Sequence, residues 1–308
     1  MSGAALAKKA GVTRAAVWKQ IEALRLKGVP VEAKVGGGYR LPWPTELLDA
    51  PRIRAESTPT VRAAVGMVEV HWDIDSTSSE LARRIPTLDD LAFVMAETQS
   101  AGRGRRGRTW LSPPGMNLYL SVLKRFDTGF ASLSGLSLAV GVSVAESLDP
   151  EGSQLRLKWP NDLWTVQDRK LGGILIETAL PQAAAAQRYL VIGIGLNIGP
   201  REAAGLGTAP AWLREFCPDA QAPQVLAGIV PPLVRSVRGF AEHGFAAFAA
   251  GFAARDALRG RDVRLSDGTE GHCEGVGPAG ELRVRTPAGL QSVTSAEVSV
   301  RPAGGVAP

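Results

Sequence analysis

The sequence predicts an α+β chain in three parts, and three observations predict it. Within the first forty residues two short helical segments meet at Gly11 and lead into a glycine-tipped ribbon. From about Val68 to Arg255 short β-rich runs alternate with helix-like ones, the rhythm of an α/β or α+β domain. Beyond Leu258 the pattern changes to brief strands separated by Gly and Asp turns, which suits a small β-barrel. The chain has 308 residues, enough for two or three domains and at least one sizeable core. With 45% hydrophobic and 21% charged residues it is neither disordered nor fibrous.

Each element has a local reason. Ser2 is placed to cap a helix over Gly3–Ala10, and Gly11 to end it. Thr13 caps a second helix to about Lys27, with Val17, Ile21 and Leu24 on its inner face and Trp18 as a further candidate. Val29–Val35, the triplet Gly36-Gly37-Gly38 and Tyr39–Leu41 read as a β-ribbon, so the unit is a winged helix-turn-helix. A helical hairpin packed on the rest of the protein is the plainer alternative. Pro42-Trp43-Pro44 and Pro51 punctuate the passage to the central part. There the strands are Val68–Ile74, Ala92–Glu97, Leu118–Leu123, Leu155–Trp159, Gly173–Thr178 and Tyr189–Leu196. The helices are Ser78–Arg84, Ser132–Leu148 and Ala222–Phe252. The last part offers strands at Asp262–Leu265, Thr269–Val276, Glu281–Thr286, Leu290–Thr294 and Val298–Val300, then a frayed tail from Pro302. Residues 183–186 and 199–211 are low-complexity loops, and no internal repeat is visible. The predicted domains are 1–50, 51–255 and 256–308.

Lys and Arg exceed Asp and Glu by 35 to 30, a net charge of +5. Most of that excess sits in residues 1–50, where Lys8, Lys9, Arg14, Lys19, Arg25, Lys27, Lys34 and Arg40 face Glu22, Glu32, Glu46 and Asp49. Thr13, Arg14 and Lys19 on the second helix and Lys34 on the ribbon are therefore candidates for contact with DNA. Two cysteines, Cys217 and Cys273, and three scattered histidines support neither a disulfide framework nor a zinc site. Cys273 beside His272 reads as an incidental pair in a strand. No apolar run reaches the length of a membrane span, and no leader pattern opens the chain, so a cytoplasmic protein without membrane contact is expected.

The most unusual segment is Gln99-Ser100-Ala101-Gly102-Arg103-Gly104-Arg105-Arg106-Gly107-Arg108-Thr109-Trp110. Its glycines allow successive backbone N–H groups to converge on an anion, and its four arginines supply permanently charged planar donors. Such a tract can be a disordered tail, but this one lies between apolar runs. Without a closing G-K-[ST] it is not a Walker A loop. Lys158-Trp159-Pro160-Asn161-Asp162 follows at a strand end, where a lysine, an amide and a carboxylate can stabilise a phosphoryl group, orient a nucleotide and receive an ammonium. Lys170-Leu171-Gly172-Gly173 adds a cation beside a close-approach turn. Gly193-Ile194-Gly195-Leu196-Asn197 imitates half of a dinucleotide fingerprint, but its third glycine is misplaced and no helix follows.

In this order, G-R-G-R-R-G-R-x-W, K-W-P-N-D, R-K-L-G-G-I-L-I-E and G-I-G-L-N closely resemble the biotin protein ligases. With the winged helix in front, the chain resembles the bifunctional type that also represses biotin synthesis genes. The likeness spans nearly the whole chain, including Asp75–Ser79, Met116–Ser121 and the last part. It implies a class II synthetase-like catalytic domain with a mixed sheet, followed by an SH3-like barrel. It implies that ATP, Mg²⁺ and biotin form biotinyl-5′-adenylate, which acylates one lysine of the biotin carboxyl carrier protein of acetyl-CoA carboxylase. By similarity Ser76, Thr77, Ser78, Gln99, Gly102, Arg103, Gly104, Arg105 and Lys170 would bind biotin or the acyl phosphate. Arg106, Trp110, Lys158, Asn161 and Asn197 would face the nucleotide. Asp162 would steer or deprotonate the incoming lysine, and Arg105, Lys158, Asp162 and Lys170 form the expected catalytic set. Metal is expected only as Mg²⁺ carried with ATP. Residues about 199–213, with Gly205, Gly207 and Trp212, are the candidate lid. The likeness further implies operator DNA as a partner and a homodimer.

The family commonly has asparagine where this chain has Ser78. In the bifunctional type a further helix precedes the two read here, so the expectation is a winged helix-turn-helix lacking its first helix, with less apolar area to offset chain entropy. Three readings stay open: ligase and repressor, ligase with a vestigial N-terminal unit, or a regulator whose pocket no longer catalyses. Intact Arg103, Lys158, Asp162 and Lys170 disfavour the third.

Overall fold

The structure is a computed structural model and describes residues 1–34, 36–126, 133–179, 188–200, 208–294 and 300–302. The N-terminal unit opens with α1 (Gly3–Ala10), capped by the Ser2 hydroxyl and ended by Gly11 at φ 65°. Helix α2 (Arg14–Leu26) is capped by Thr13, whose Oγ1 accepts from the Ala16 N–H at 3.1 Å. Strands β1 (Glu32–Lys34) and β2 (Gly38–Arg40) pair antiparallel with Ala33 opposite Tyr39. Ala7, Val17 and Ile21 form a small core closed by Leu6, Val31 and Tyr39. Two expectations about its inner face are corrected: Leu24 is only half-buried, and Trp18 is 56% exposed. Trp18 stands 100° around the helix from Val17, outside the narrow stripe that one neighbouring helix covers.

Pro51, read as punctuation, helps start a helix instead, and Pro59 does the same for the next one. Helix α3 (Ala50–Glu56) has Asp49 as its cap and Pro51 in its first turn; α4 (Pro59–Ala64) has Thr58 and Pro59 in those places. A proline early in a helix costs no hydrogen bond, because those N–H groups have no intrahelical partner.

The central unit then runs β3 (Val68–Ile74), α5 (Thr77–Arg84), β4 (Phe93–Gln99), β5 (Asn117–Phe126), α6 (Leu136–Leu148), β6 (Leu155–Lys158), β7 (Asp162–Thr165), β8 (Lys170–Ala179), β9 (Arg188–Asn197), α7 (Ala222–His243) and α8 (Ala249–Arg255). The sequence reading joined the last two helices, but Gly244 at φ 63° ends α7. It also missed β7, which is four residues long and follows a turn. Among the described residues the sheet order is β3-β4-β5-β9-β8-β7-β6, with β3 and β4 parallel and all other neighbours antiparallel. Alternation along the strands sorts the two faces. Leu118, Leu120, Val122, Ile192 and Ile194 join the large core with α6 and α7, whereas Val94, Leu123 and Val191 pack with Leu81 and Ile85 beneath α5.

The last unit is an antiparallel sheet of β10 (Asp262–Leu265), β11 (Glu270–Val276), β12 (Leu282–Thr286), β13 (Gly289–Val293) and β14 (Val300–Pro302), in the order β13-β12-β11-β10-β14. Part of the predicted Val298–Val300 strand, and the expected tail beyond residue 302, lie outside the described residues. The units touch at specific points. The indole N–H of Trp159 donates to Gly280 O at 3.0 Å, and Arg261 makes two 2.8 Å bonds to the Asp168 carboxylate. Lys27 pairs with Asp73 at 2.6 Å. The connecting segment is held down: Pro44 O accepts from Arg214 and Gln221, the Leu48 N–H donates to Glu97 at 2.6 Å, and the Trp43 ring faces the Arg214 guanidinium at 5.2 Å. Glu97 is buried, and its desolvation raises its pKa. Among the described residues no helix is long and apolar enough to cross a membrane.

Candidate active site

Strand register builds the floor of the site. Tyr119, Gly195 and Gly173 lie side by side across β5, β9 and β8, and the next row on the same face is Ser121, Gly193 and Leu175. One further row along, Leu123 and Val191 are apolar and covered by α5. A single sheet face therefore passes from core to cavity where its side chains become small or polar. The cavity has a volume of about 910 Å³. Gly193 and Gly195 are thus strand residues, and the half-fingerprint reading of this segment falls away. A Cβ on Gly195 would lie 2.6 Å from the Trp110 ring, and one on Gly193 would lie 2.9 Å from Ser78 Oγ. Only glycine lets those groups settle onto the sheet.

The arginine-glycine segment is folded back on itself. Trp110 N–H donates to Gly102 O at 2.8 Å, Gly104 N–H to Arg108 O at 2.7 Å, and Arg103 bridges Thr109. The N–H groups of Gly104, Arg108 and Trp110 bond within the loop, so these three are not turned toward an anion. Gly102 is buried outside the cavity lining, where a Cβ would sit 2.7 Å from Ser112 Oγ. Charge reaches the cavity through side chains instead. Arg105 lines it and donates to Asn161 Oδ1 at 3.3 Å; burial lowers its pKa, and the nearby Asp162 opposes that shift. Arg103 pairs with Glu177 at 2.8 Å, Arg106 reaches Ser266 of the last sheet at 3.4 Å, and Arg108 stands at the rim.

The β6–β7 hairpin forms the facing wall. Lys158 sits opposite Asp162 in register and lies 4.6 Å from the Trp164 ring. Lys170 Nζ donates to Asp162 Oδ1 at 2.7 Å and stands 5.5 Å from the Trp110 ring. Asn161 Nδ2 donates to Ile174 O at 2.7 Å, fixing the hairpin to β8. Asn197 Nδ2 holds Lys170 O and Ala211 O at 3.2 Å each, while its buried Oδ1 lacks a hydrogen-bond partner. At the closed end Ser76 caps α5, and Thr77 and Ser78 meet Ser121 and Gln99.

The structure thus gathers all the predicted ligand residues except Gly102 and Trp212 around one cavity. Trp212 is half-buried outside the lining and starts a short 3-10 turn at Leu213–Glu215. Gly205 and Gly207 lie outside the described residues. Thr13, Arg14, Lys19 and Lys34 are exposed on the N-terminal unit. Sequence reasoning assigned no site role to Ser121, Tyr119 or Ser112. For Tyr119 and Ser121 the one signal was alternation with apolar residues along β5; Ser112, in the segment before that strand, carried none.

Fold and site together define a class: a mixed-sheet domain with a closed hydroxyl-lined pocket opening onto clustered cations, carried behind a basic two-helix unit. Residues 72–197 match the biotin/lipoate A/B protein ligase family, and residues 1–40 match a helix-turn-helix domain family. The bifunctional ligase/repressor BirA of Escherichia coli strain K12 is 37% identical over 308 residues, covering 98% of this chain and 93% of that protein; the Salmonella typhimurium protein of the same name gives the same values. Biotin protein ligase from Aquifex aeolicus in complex with biotin and ATP superposes with a TM-score of 0.65 at 27% identity, covering 77% of this chain and 99% of that one. The chain belongs to the biotin/lipoate A/B protein ligase family.

Proposed function

We propose that the chain is a biotin protein ligase: it joins biotin and ATP into biotinyl-5′-adenylate with release of pyrophosphate, then passes biotin to a lysine of the biotin carboxyl carrier protein of acetyl-CoA carboxylase, forming an amide and releasing AMP. The observation that carries this is the polarity of the cavity. Its closed end is neutral and lined by hydroxyls, which suits a ureido ring, while Arg105, Lys158 and Lys170 crowd its open end, where a carboxylate must approach an anionic α-phosphate. That approach is repulsive unless cations neutralise both partners, and fixed donors in a partly dry site are worth several kcal/mol each at such a transition state. In this reading Arg103 and Arg105 shield the mixed anhydride from water, with Gly104 beside them. Arg106, Trp110, Asn161 and Asn197 receive the nucleotide. Asp162 holds Lys170 until Lys170 turns to the acyl phosphate, which leaves the carboxylate to take a proton from the incoming amine. An ordinary lysine is only about 10⁻³ deprotonated at neutral pH, so a base at that point has work to do. Mg²⁺ would arrive with the nucleotide and neutralise its phosphates; among the described residues no group of three or more His, Cys, Asp or Glu is placed to hold a metal.

Incubation with biotin, ATP, Mg²⁺ and a carrier domain should add the mass of biotin to one carrier lysine. No product with a competent carrier rejects the reading.

Exposed Arg14, Lys19 and Lys34 favour a second activity, biotin-responsive repression through operator DNA by a homodimer. It predicts salt-sensitive binding to a palindromic site that tightens with adenylate; equal affinity with and without adenylate rejects it and leaves the ligase with a vestigial N-terminal unit. The division at residues 50 and 255, closure of the last sheet into an SH3-like barrel, Trp212 as part of a lid and a cytoplasmic location belong to the same proposal.

A further inference from the structure

The closed end of the cavity contains a chain of buried hydroxyls whose proton directions can be worked out. Thr77 N–H donates to Gln99 Oε1 at 2.9 Å, which requires an oxygen there and fixes the amide. Thr77 Oγ1 donates to the same oxygen at 3.1 Å. A hydroxyl has one proton, so at the 2.8 Å contact between Thr77 and Ser121 the donor is Ser121. Ser121 has then no proton left for Ser78, 2.9 Å away, and Ser78 must donate to it. At the other end Gln99 Nε2 donates to Ser112 Oγ at 3.0 Å, and Ser112 donates to Trp110 O at 3.1 Å. The protons of Ser78, Ser121 and Thr77 all point along the chain, and only lone pairs of these three oxygens remain for a ligand.

Ser121 is the pivot. It is 0% exposed, stands opposite Gly193 in the β5–β9 register, and is hydrogen-bonded to both Thr77 and Ser78. We propose that Ser121 is a positioning residue that sets the polarity of the closed end, making it an acceptor surface selective for a ring that donates N–H. The proposal rests on the biotin ligase reading and sharpens it: a ureido ring is accepted because it supplies N–H donors. A ring with a lone pair at that point, such as a cyclic carbamate, or with no donor at all, such as a dithiolane, is rejected.

The test uses the full chain and isothermal titration with two probes, biotin and its cyclic carbamate analogue, in which one ureido N–H is replaced by oxygen. The parent should discriminate against the carbamate by about 10- to 100-fold, the range expected when lone pairs face each other in a buried site. Ser121→Ala frees the Ser78 proton to turn toward a ligand. Biotin affinity should fall several-fold while the carbamate loses less or gains, so the ratio between the two shrinks at least about fivefold. Ser78→Ala leaves the Ser121-to-Thr77 direction in place and should weaken biotin while keeping the ratio within about twofold. ATP affinity and melting temperature show whether each variant is folded; if Ser121→Ala is not, Ser78→Ala still decides, because loss of discrimination there overturns the proposal. Equal losses for both probes in Ser121→Ala also overturn it. Failure of the parent to bind biotin would instead reject the ligase reading itself.

Discussion

Replacing Gly195 by alanine puts the contact between sheet and loop under direct load. The new methyl would lie 2.6 Å from Trp110 Cε2, 2.7 Å from Cζ2 and 2.9 Å from Nε1. Carbon atoms rest about 3.5–4.0 Å apart, so the ring must retreat by roughly 1 Å or the strand must bend. Overpacking of that kind costs about 1–3 kcal/mol. If the loop stays, the cost appears as lost stability in urea unfolding. If Trp110 lifts away, it appears instead as an ATP affinity about 5- to 150-fold weaker in titration calorimetry, at 1.4 kcal/mol per factor of ten. The sum of the two losses should stay in the 1–3 kcal/mol range. Gly228→Ala supplies the opposite sign: that glycine lies within α7 with nothing within 4 Å of the new methyl, so stability should rise by about 0.5–1 kcal/mol. In a Trp110→Ala background Gly195→Ala should become nearly neutral, which assigns the cost to that one ring. A Gly195→Ala protein with unchanged unfolding midpoint and unchanged ATP affinity, or an equal cost with and without the indole, would refute the reasoning.

Arg105→Gly should still form adenylate but release it, giving diffuse labelling of bystander lysines by mass spectrometry; tight retention of adenylate by that variant would contradict the assigned role. Asp162→Asn removes the partner of Lys170 and the proposed base, so transfer from preformed adenylate to the carrier should slow about 10²- to 10⁴-fold in single turnover, more than adenylate formation does; equal loss in both steps would count against it. The Asp75 carboxyl is lowered from 3.8 to about 2, chiefly by its hydrogen bonds from Arg83. Its folded pKa lies below its unfolded one, so its contribution is present above about pH 4 and is lost as pH falls toward 2. Asp75→Asn should accordingly flatten the acid limb of urea-melt stability in that window; an unaltered limb would show that another group sets it.

What was legible in the sequence is what depends on near neighbours. Ser2, Gly11 and Thr13 announce the ends of α1 and α2 because caps act within a turn. Six of the seven central strands showed as apolar runs, and β7, four residues after a turn, did not. The small helices at Ala50 and Pro59 were hidden because proline is read as a breaker, although in a first turn it starts a helix. The floor of the cavity was invisible for another reason. Gly173, Gly195 and Tyr119 come together only through the register of three strands, and no local pattern states which residue will stand opposite which. Gly193 and Gly195 accordingly resembled a nucleotide turn when read along the chain, and became a floor only when read across the sheet. Arg105, Lys158, Asp162 and Lys170 were expected because their segments, taken in order, resemble the biotin protein ligases, and the fold brings all four to one cavity. Ser121, one polar residue in an apolar strand, was not.

The segment that joins the basic unit to the rest of the protein bears on how DNA could be read. Nine free glycine- and serine-rich residues would let that unit wander over about 15 Å or more. Residues 41–49 do not offer such a tether, since Trp43, Pro44 and Leu48 are each seated on Arg214, Gln221 or Glu97 of the central unit. The basic unit is therefore tied closely to the central unit rather than strung from it on a free tether. In any pair of copies the distance between their α2 helices follows from how the central units meet, so half-site spacing on an operator would be a property of the catalytic halves, dictated far from the residues that touch the bases.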